Sequence, residues 1–204
     1  MAVRAVAFDI GGVLYRKAPE DLIARRWARR LQVSETEFES TLAHVDPGDA
    51  IATGDLTETE ISHLYATALD LTQPQADEFM ADLWDRYCGE LDDGLAGYAG
   101  SLRPRYLTGL LSNSADGARR EEQARYGFED RFDVIMYSHE VGLAKPDLRV
   151  YALLCERLDV APDELVFLDD GPRNVEAACQ LGIHGILHRN TFESIKAISV
   201  LLDS

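Results

Sequence analysis

Three aspartates, a lysine, a serine and an asparagine stand at the ends of short apolar runs in a chain of 204 residues. Asp9 follows the run at 3–8, Ser112 and Asn113 close the run at 106–111, Lys145 comes soon after the run at 132–137, and Asp169 and Asp170 follow the run at 165–168. Three neighbouring carboxylates repel one another and stay ionised together only beside a cation; an all-oxygen set favours a hard ion, Mg²⁺. A lysine and a hydroxyl complement a bound phosphate, the first as a point charge and the second as a donor. An aspartate held against that phosphate can attack phosphorus, splitting hydrolysis into formation and breakdown of a covalent intermediate. The chemistry these types support is phosphoryl transfer to Asp9.

Such residues meet only if the runs are parallel strands of one sheet. Residues 3–8 are apolar apart from Arg4, as for a strand covered on both faces. The carboxyl ends of parallel strands share one edge, where open α/β sheets bind ligands, and Gly11 and Gly12 let the chain turn tightly beside Asp9. From Asp92 onwards helix and strand alternate: helices over 95–102, 116–126, 148–158 and 174–181, strands over 106–111, 132–137, 165–168 and 183–187, then a closing helix.

Residues 16–90 read as helix only. Leu22, Ile23, Trp27 and Leu31 form an apolar stripe, with Arg25, Arg26, Arg29 and Arg30 on a solvated face. Ser34 with Glu37 and Thr57 with Glu60 are capping-box pairs opening two further helices, and Phe79, Leu83, Trp84 and Tyr87 mark a fourth. The expected fold class is α/β: a Rossmann-like parallel sheet flanked by helices, built from 1–15 and 91–204, with 16–90 inserted as an α-helical bundle cap.

Composition narrows the partners. A net charge of −16 argues against nucleic acid and anionic membranes, which reward clustered Lys and Arg. No apolar run is long enough to span a bilayer, and a strand at the start leaves no room for a signal peptide, so a cytoplasmic protein acting on a small metabolite is expected. Cys88, Cys155 and Cys179 are spaced as reduced packing residues.

Phe8, Asp9, Gly11, Gly12 and Val13, then Leu110, Ser112 and Asn113, then Lys145 and Pro146, then Phe167, Asp169, Asp170 and Asn174 resemble the four motifs of the haloacid dehalogenase superfamily, in members with a helical cap after the first motif. The resemblance covers nearly the whole length. It implies that Asp9 is nucleophile and Mg²⁺ ligand, that Gly11 offers a backbone carbonyl to the metal, and that Ser112 holds a phosphate oxygen. It further implies that Lys145 pairs with phosphate and nucleophile, that Asp170 binds the metal directly, and that Asp169 binds nearby or through water. Asn113 either contacts substrate or caps the next helix.

One position departs from the superfamily's phosphatases. The second aspartate, two residues after the nucleophile, is Gly11 here, and the general acid-base help it would give is worth about 10²- to 10⁴-fold. A bacterial subgroup acting on glucose 1-phosphate is similar in having Gly there, although it has Asn where this chain has Gly12; residues 53–60 resemble it too. A small sugar phosphate is therefore the expected substrate, with His44 or His63 as candidates to supply the missing proton. Two competitors remain. Metal-independent dehalogenation of a 2-haloacid needs no proton for the departing halide, but the Asp169–Asp170 pair favours a cation. A decayed, binding-only relative would not need all four motifs.

Overall fold

The computed structural model describes residues 2–16 and 21–203. Residues 1, 17–20 and 204, which fall in the ranges read above as core and insert, lie outside the described residues. The chain opens with β1 (Ala5–Phe8) and a two-residue β2 (Tyr15–Arg16). Helices α1 (Asp21–Leu31), α2 (Glu35–Val45), α3 (Asp49–Ala52), α4 (Glu58–Ala68) and α5 (Gln73–Cys88) follow, then β3 (Glu90–Leu91). Beyond these come α6 (Asp93–Ser101), β4 (Leu107–Ser112), α7 (Ala118–Tyr126), β5 (Val134–Tyr137), α8 (Ser138–Val141) and α9 (Leu148–Leu158). The chain closes through β6 (Leu165–Asp169), α10 (Pro172–Gln180), β7 (His184–Leu187) and α11 (Thr191–Leu202).

Five strands form one parallel sheet in the order β5-β4-β1-β6-β7. Alternation along each strand sends side chains to two apolar faces. Val6, Phe8, Leu110 and Leu168 pack with Leu95, Phe128 and Ile198, whereas Ala5, Ala7, Leu111 and Phe167 pack with Val150, Leu154 and Ala178. Covering on both sides is why these strands read as nearly unbroken apolar runs. Phe8 is in register with Leu110 and with Leu168, so Asp9, Ser112 and Asp169 all emerge at one edge.

Helices α1 to α5 have a core of their own. Phe79 is met edge-on by Trp27 at 5.1 Å and by Tyr65 at 5.5 Å between ring centroids, with Ile23 and Phe38 packed around them. The Thr57–Glu60 capping box is reciprocal: the Thr57 amide donates to Glu60 Oε2 at 2.8 Å and the Glu60 amide to Thr57 Oγ1 at 3.3 Å. At Ser34 only the bond from the Glu37 amide, 3.1 Å, is present. The arginine face of α1 is not simply solvated, because Arg26 and Arg30 pair with Glu78, and Arg26 also with Asp82, across to α5 at 2.6–2.9 Å.

Short elements separate the structure from the sequence reading. Helix α3 is a single turn after Pro47 and Gly48, where the residues signal only a stop, so among the described residues five helices, not four, lie between β2 and β3. Gly117 at φ +97° delays α7 to Ala118, and α10 starts at Pro172, whose fixed φ suits a first helical position. The β2–β3 ribbon pairs Tyr15 with Leu91 and Arg16 with Glu90, and the Asp92 amide donates to the Leu14 carbonyl at 2.8 Å. The chain thus leaves and rejoins the sheet side by side, just beyond the turn that follows Asp9. No helix among the described residues is long and apolar enough to cross a membrane.

Candidate active site

Lys145 joins the strand ends. Its ammonium lies 2.7 Å from Asp9 Oδ1 and 2.7 Å from Asp169 Oδ2, and its side chain is 1% exposed. Burial alone would lower the lysine, but Asp9 and Asp169 outweigh it and hold it above its ordinary value, hence charged. For Asp9, burial is the larger influence and Asp169 adds to it against the pull of Lys145, pushing the carboxyl up to about 6. A fixed cation makes a buried carboxylate tolerable here; without one, two acids this close could not both ionise.

Asp169 is held on every side. Besides Lys145, it accepts from the Gly171 amide at 2.7 Å and from Asn174 Nδ2 at 2.9 Å. A Cβ at Gly171 would stand 2.8 Å from that amide nitrogen, so the residue must be glycine for the carboxylate to be gripped. Asn174 is in turn steadied by Tyr151, whose hydroxyl donates to its carbonyl at 2.9 Å.

Asp170 is exposed and turns toward the glycine turn after Asp9. A Cβ on Gly12, which has φ +86°, would fall 2.2 Å from Asp170 Oδ2; only hydrogen leaves room for the carboxylate. Gly11 adjoins it in the same turn. One carboxylate oxygen each from Asp9, Asp169 and Asp170 lie within 4.8 Å of one another. Octahedral Mg²⁺ with ligands at about 2.1 Å spaces them about 3–4 Å apart, so a small contraction would close the set around an ion. Three acids, two of them paired with a single lysine, have the charge and the oxygen donors that such an ion requires.

Ser112 ends β4 next to Asp9 and is 2% exposed. Asn113 neither caps α7 nor hangs free: its Nδ2 donates to the Lys145 carbonyl and its Oδ1 accepts from the Lys145 amide, both at 2.8 Å. It holds the backbone from which Lys145 reaches the acids. The following residue is pinned likewise, the Ser114 amide to Ser138 Oγ at 2.9 Å and the Ser114 hydroxyl to His139 Nδ1 at 2.8 Å.

Residues 113–116 form one wall of a cavity of about 410 Å³ whose other walls come from α3, α4 and α5. The insert is tied down beside it. Glu58 takes two bonds from Arg120 at 2.9 Å and one from the Trp84 indole at 2.6 Å, and its amide donates to Asp116 at 2.9 Å. A Cβ on Gly54 would collide with the His139 carbonyl at 2.2 Å. His44 and His63 are both exposed and neither lines this cavity.

Behind Asp9 lies a group that the sequence reading passed over. Glu122 is fully buried and accepts from Tyr137 at 2.6 Å and from Tyr15 at 3.2 Å. Burial pushes its carboxyl up to about 7, against the opposing pull of the two phenols. Between the unfolded value of 4.5 and this raised one, the folded protein holds a proton that the unfolded chain has released. Stability therefore falls as pH rises through that window and is level above it. Relative to Glu122→Gln, wild-type protein is expected to lose about 3 kcal/mol between about pH 5 and about pH 8. Denaturant titrations of both proteins check this, and a difference that stays constant with pH would contradict it.

The haloacid dehalogenase-like hydrolase family matches residues 3–182. Bifunctional epoxide hydrolase 2 from Sus scrofa is 35% identical over 97 residues, 46% of this chain but 18% of that protein, so the chain spans less than a fifth of that relative. An N-acetylmuramic acid 6-phosphate phosphatase from Pseudomonas aeruginosa is 27% identical over 192 residues, 89% of this chain and 80% of that one. Among solved structures, a family enzyme from Bacteroides thetaiotaomicron in complex with magnesium and inorganic phosphate superposes with a TM-score of 0.79 at 21% identity, covering 92% of this chain and 95% of the other. At that identity the likeness is one of fold.

Proposed function

Since the chain belongs to the haloacid dehalogenase-like hydrolases, we propose that it hydrolyses the phosphate monoester of a small metabolite through an aspartyl-phosphate on Asp9. The observation that carries this is Lys145, buried between Asp9 and Asp169 with Asp170 alongside. Asp9 and Asp170 would hold Mg²⁺ with the Gly11 carbonyl; Asp169, its oxygens already engaged, would act beside it. When bound, the ion supplies positive charge against the phosphoryl oxygens.

The chain's own groups do the rest. Lys145 balances charge on the phosphoryl group and fixes the orientation of Asp9, while Asn113 holds the backbone of Lys145. Ser112 donates its hydroxyl to a phosphoryl oxygen. An Asp9 oxygen forms a bond to phosphorus as the ester bond breaks, and water then cleaves the acyl phosphate to return the carboxylate. The helical insert serves as the cap, excluding water from these charges and contacting the rest of the substrate. A carbohydrate phosphate is supported by the first-motif resemblance and by the named activity of the Pseudomonas relative. Free cysteines at 88, 155 and 179 fit work in a reducing cytoplasm.

Gly11 also suits a dehalogenase, because halide leaves without a proton. Three converging acids would have no task in that reaction, and the phosphatase reading gives them one. With Mg²⁺, p-nitrophenyl phosphate should be hydrolysed, since its leaving group needs little acid help. Chelation should lower the rate at least about 10²-fold and added Mg²⁺ should restore it. Chelator-resistant hydrolysis, or halide release from chloroacetate, would overturn the reading.

A further inference from the structure

The cavity meets the phosphoryl site at Asn113, which lines it, directly follows Ser112 and is bonded at both ends to the backbone of Lys145. A phosphate held by Ser112 and Lys145 would leave the carbon skeleton of its ester between residues 113–116 and the insert. The volume of about 410 Å³ falls within the range of about 300–1,000 Å³ usual for small-molecule sites. Ile51, Ile61, Leu83 and Trp84 supply apolar surface, so the charged and hydroxyl-bearing groups among them decide which skeleton fits.

Those groups differ in how far the protein commits them. Arg120 spans both oxygens of Glu58 at 2.9 Å, and the Trp84 indole donates to it at 2.6 Å, which balances its charge in place. Asp116 accepts from the Glu58 amide through one oxygen, and a carboxylate has lone pairs beyond one bond to offer a sugar hydroxyl. Among the described residues of the lining, Arg86 is the one basic side chain. It stands on α5 in the insert wall, where Tyr65 of α4 also lines the cavity. Burial, with Asp46 adding to it against Arg86, raises the Tyr65 phenol above its ordinary value, so it keeps its proton and can donate. Arg86 interacts elsewhere in the protein as well, but a guanidinium carries five N–H donors and a carboxylate takes two of them. In a chain with 36 acidic and 20 basic residues, a second negative charge on a substrate is tolerated only where a cation meets it.

We infer that the substrate is a phosphorylated carbohydrate acid, with its phosphate at Ser112 and Lys145 and its carboxylate on Arg86, the Tyr65 hydroxyl serving as a further donor. The inference rests on the phosphomonoesterase reading and gives its carbohydrate a second charged end. Asp116, on the wall formed by residues 113–116, accepts from hydroxyls of the skeleton between the two ends.

Glucitol 6-phosphate and 6-phosphogluconate share an open six-carbon chain and a primary phosphate ester, and differ at the far end, hydroxymethyl against carboxylate. With Mg²⁺ the wild-type protein is expected to show at least a tenfold higher kcat/KM for the acid. Arg86→Met should lose at least tenfold more kcat/KM on the acid than on the glucitol ester, chiefly through KM. That ratio does not depend on how much of the variant is folded. Equal or better turnover of the glucitol ester, hydrolysis of neither ester, or a preference for the acid that survives Arg86→Met overturns the inference, while hydrolysis of p-nitrophenyl phosphate leaves the hydrolase reading intact. No Mg²⁺-dependent hydrolysis of p-nitrophenyl phosphate by the wild type overturns both.

Discussion

Asp9→Asn is expected to lower kcat on p-nitrophenyl phosphate by at least about 10³-fold while the protein stays folded. Asparagine is nearly the same shape and its oxygen can still accept from Lys145, so the geometry at the strand end survives. An amide oxygen, however, is a poor nucleophile, and the covalent route closes. Stability should not suffer. Burial and Asp169 already push the Asp9 carboxyl up to about 6, so removing its charge relieves a repulsion, and Lys145 keeps Asp169 as partner at 2.7 Å. Steady-state kinetics and a thermal melt on one preparation check both halves. Retention of more than about a tenth of the activity would remove Asp9 from the role of nucleophile.

Lys145→Met should be costly in a different way. It leaves Asp9 and Asp169 side by side in a buried site with their shared cation gone, and breaking a buried ion pair from one side typically costs about 3–5 kcal/mol. The penalty falls on the charged forms. Without Lys145 the pull that lowers Asp9 is gone, so burial holds its carboxyl further above the unfolded value, and stability is retained at low pH and lost as pH rises through the folded value. In metal-free buffer the variant should therefore be closest to wild type near about pH 5 and furthest from it near about pH 8. Activity should also fall at least about 10²-fold, because the phosphoryl group loses its fixed positive partner. Wild-type stability in the variant at the higher pH would mean that Lys145 does not hold the acids together.

The parallel sheet and the residues at its edge were legible because long-range order here is written in local terms. Each apolar run is a strand covered on both faces, and a polar residue directly after it has one place to go. Asp9, Ser112 and Asp169 needed only that rule to be assigned to one edge. Tertiary use of ordinary residues was not legible. Asn113 looks like any polar residue before a helix, and only the fold shows that it is bonded at both ends to Lys145. Glu122 sits in a helix reading Ala-Arg-Arg-Glu-Glu-Gln-Ala-Arg-Tyr, where neighbouring acids look equally solvated. The spacing of Ala118, Glu122 and Tyr126, four apart on one face, was the signal that could have singled it out. The β2–β3 ribbon and the one-turn helices α3 and α8 are too short for any periodicity to register.

Gly11 gives the covalent route an observable consequence. The residue it replaces would also activate water for the second step, so breakdown of an acyl phosphate should lag behind its formation on a substrate with a good leaving group. The most direct measurement is rapid acid quench during turnover of p-nitrophenyl phosphate with Mg²⁺, followed by mass spectrometry of the peptide containing Asp9. The expected result is a phosphoryl adduct on Asp9 that is absent from Asp9→Asn. Full-rate turnover with no adduct on Asp9 at any quench time would contradict it.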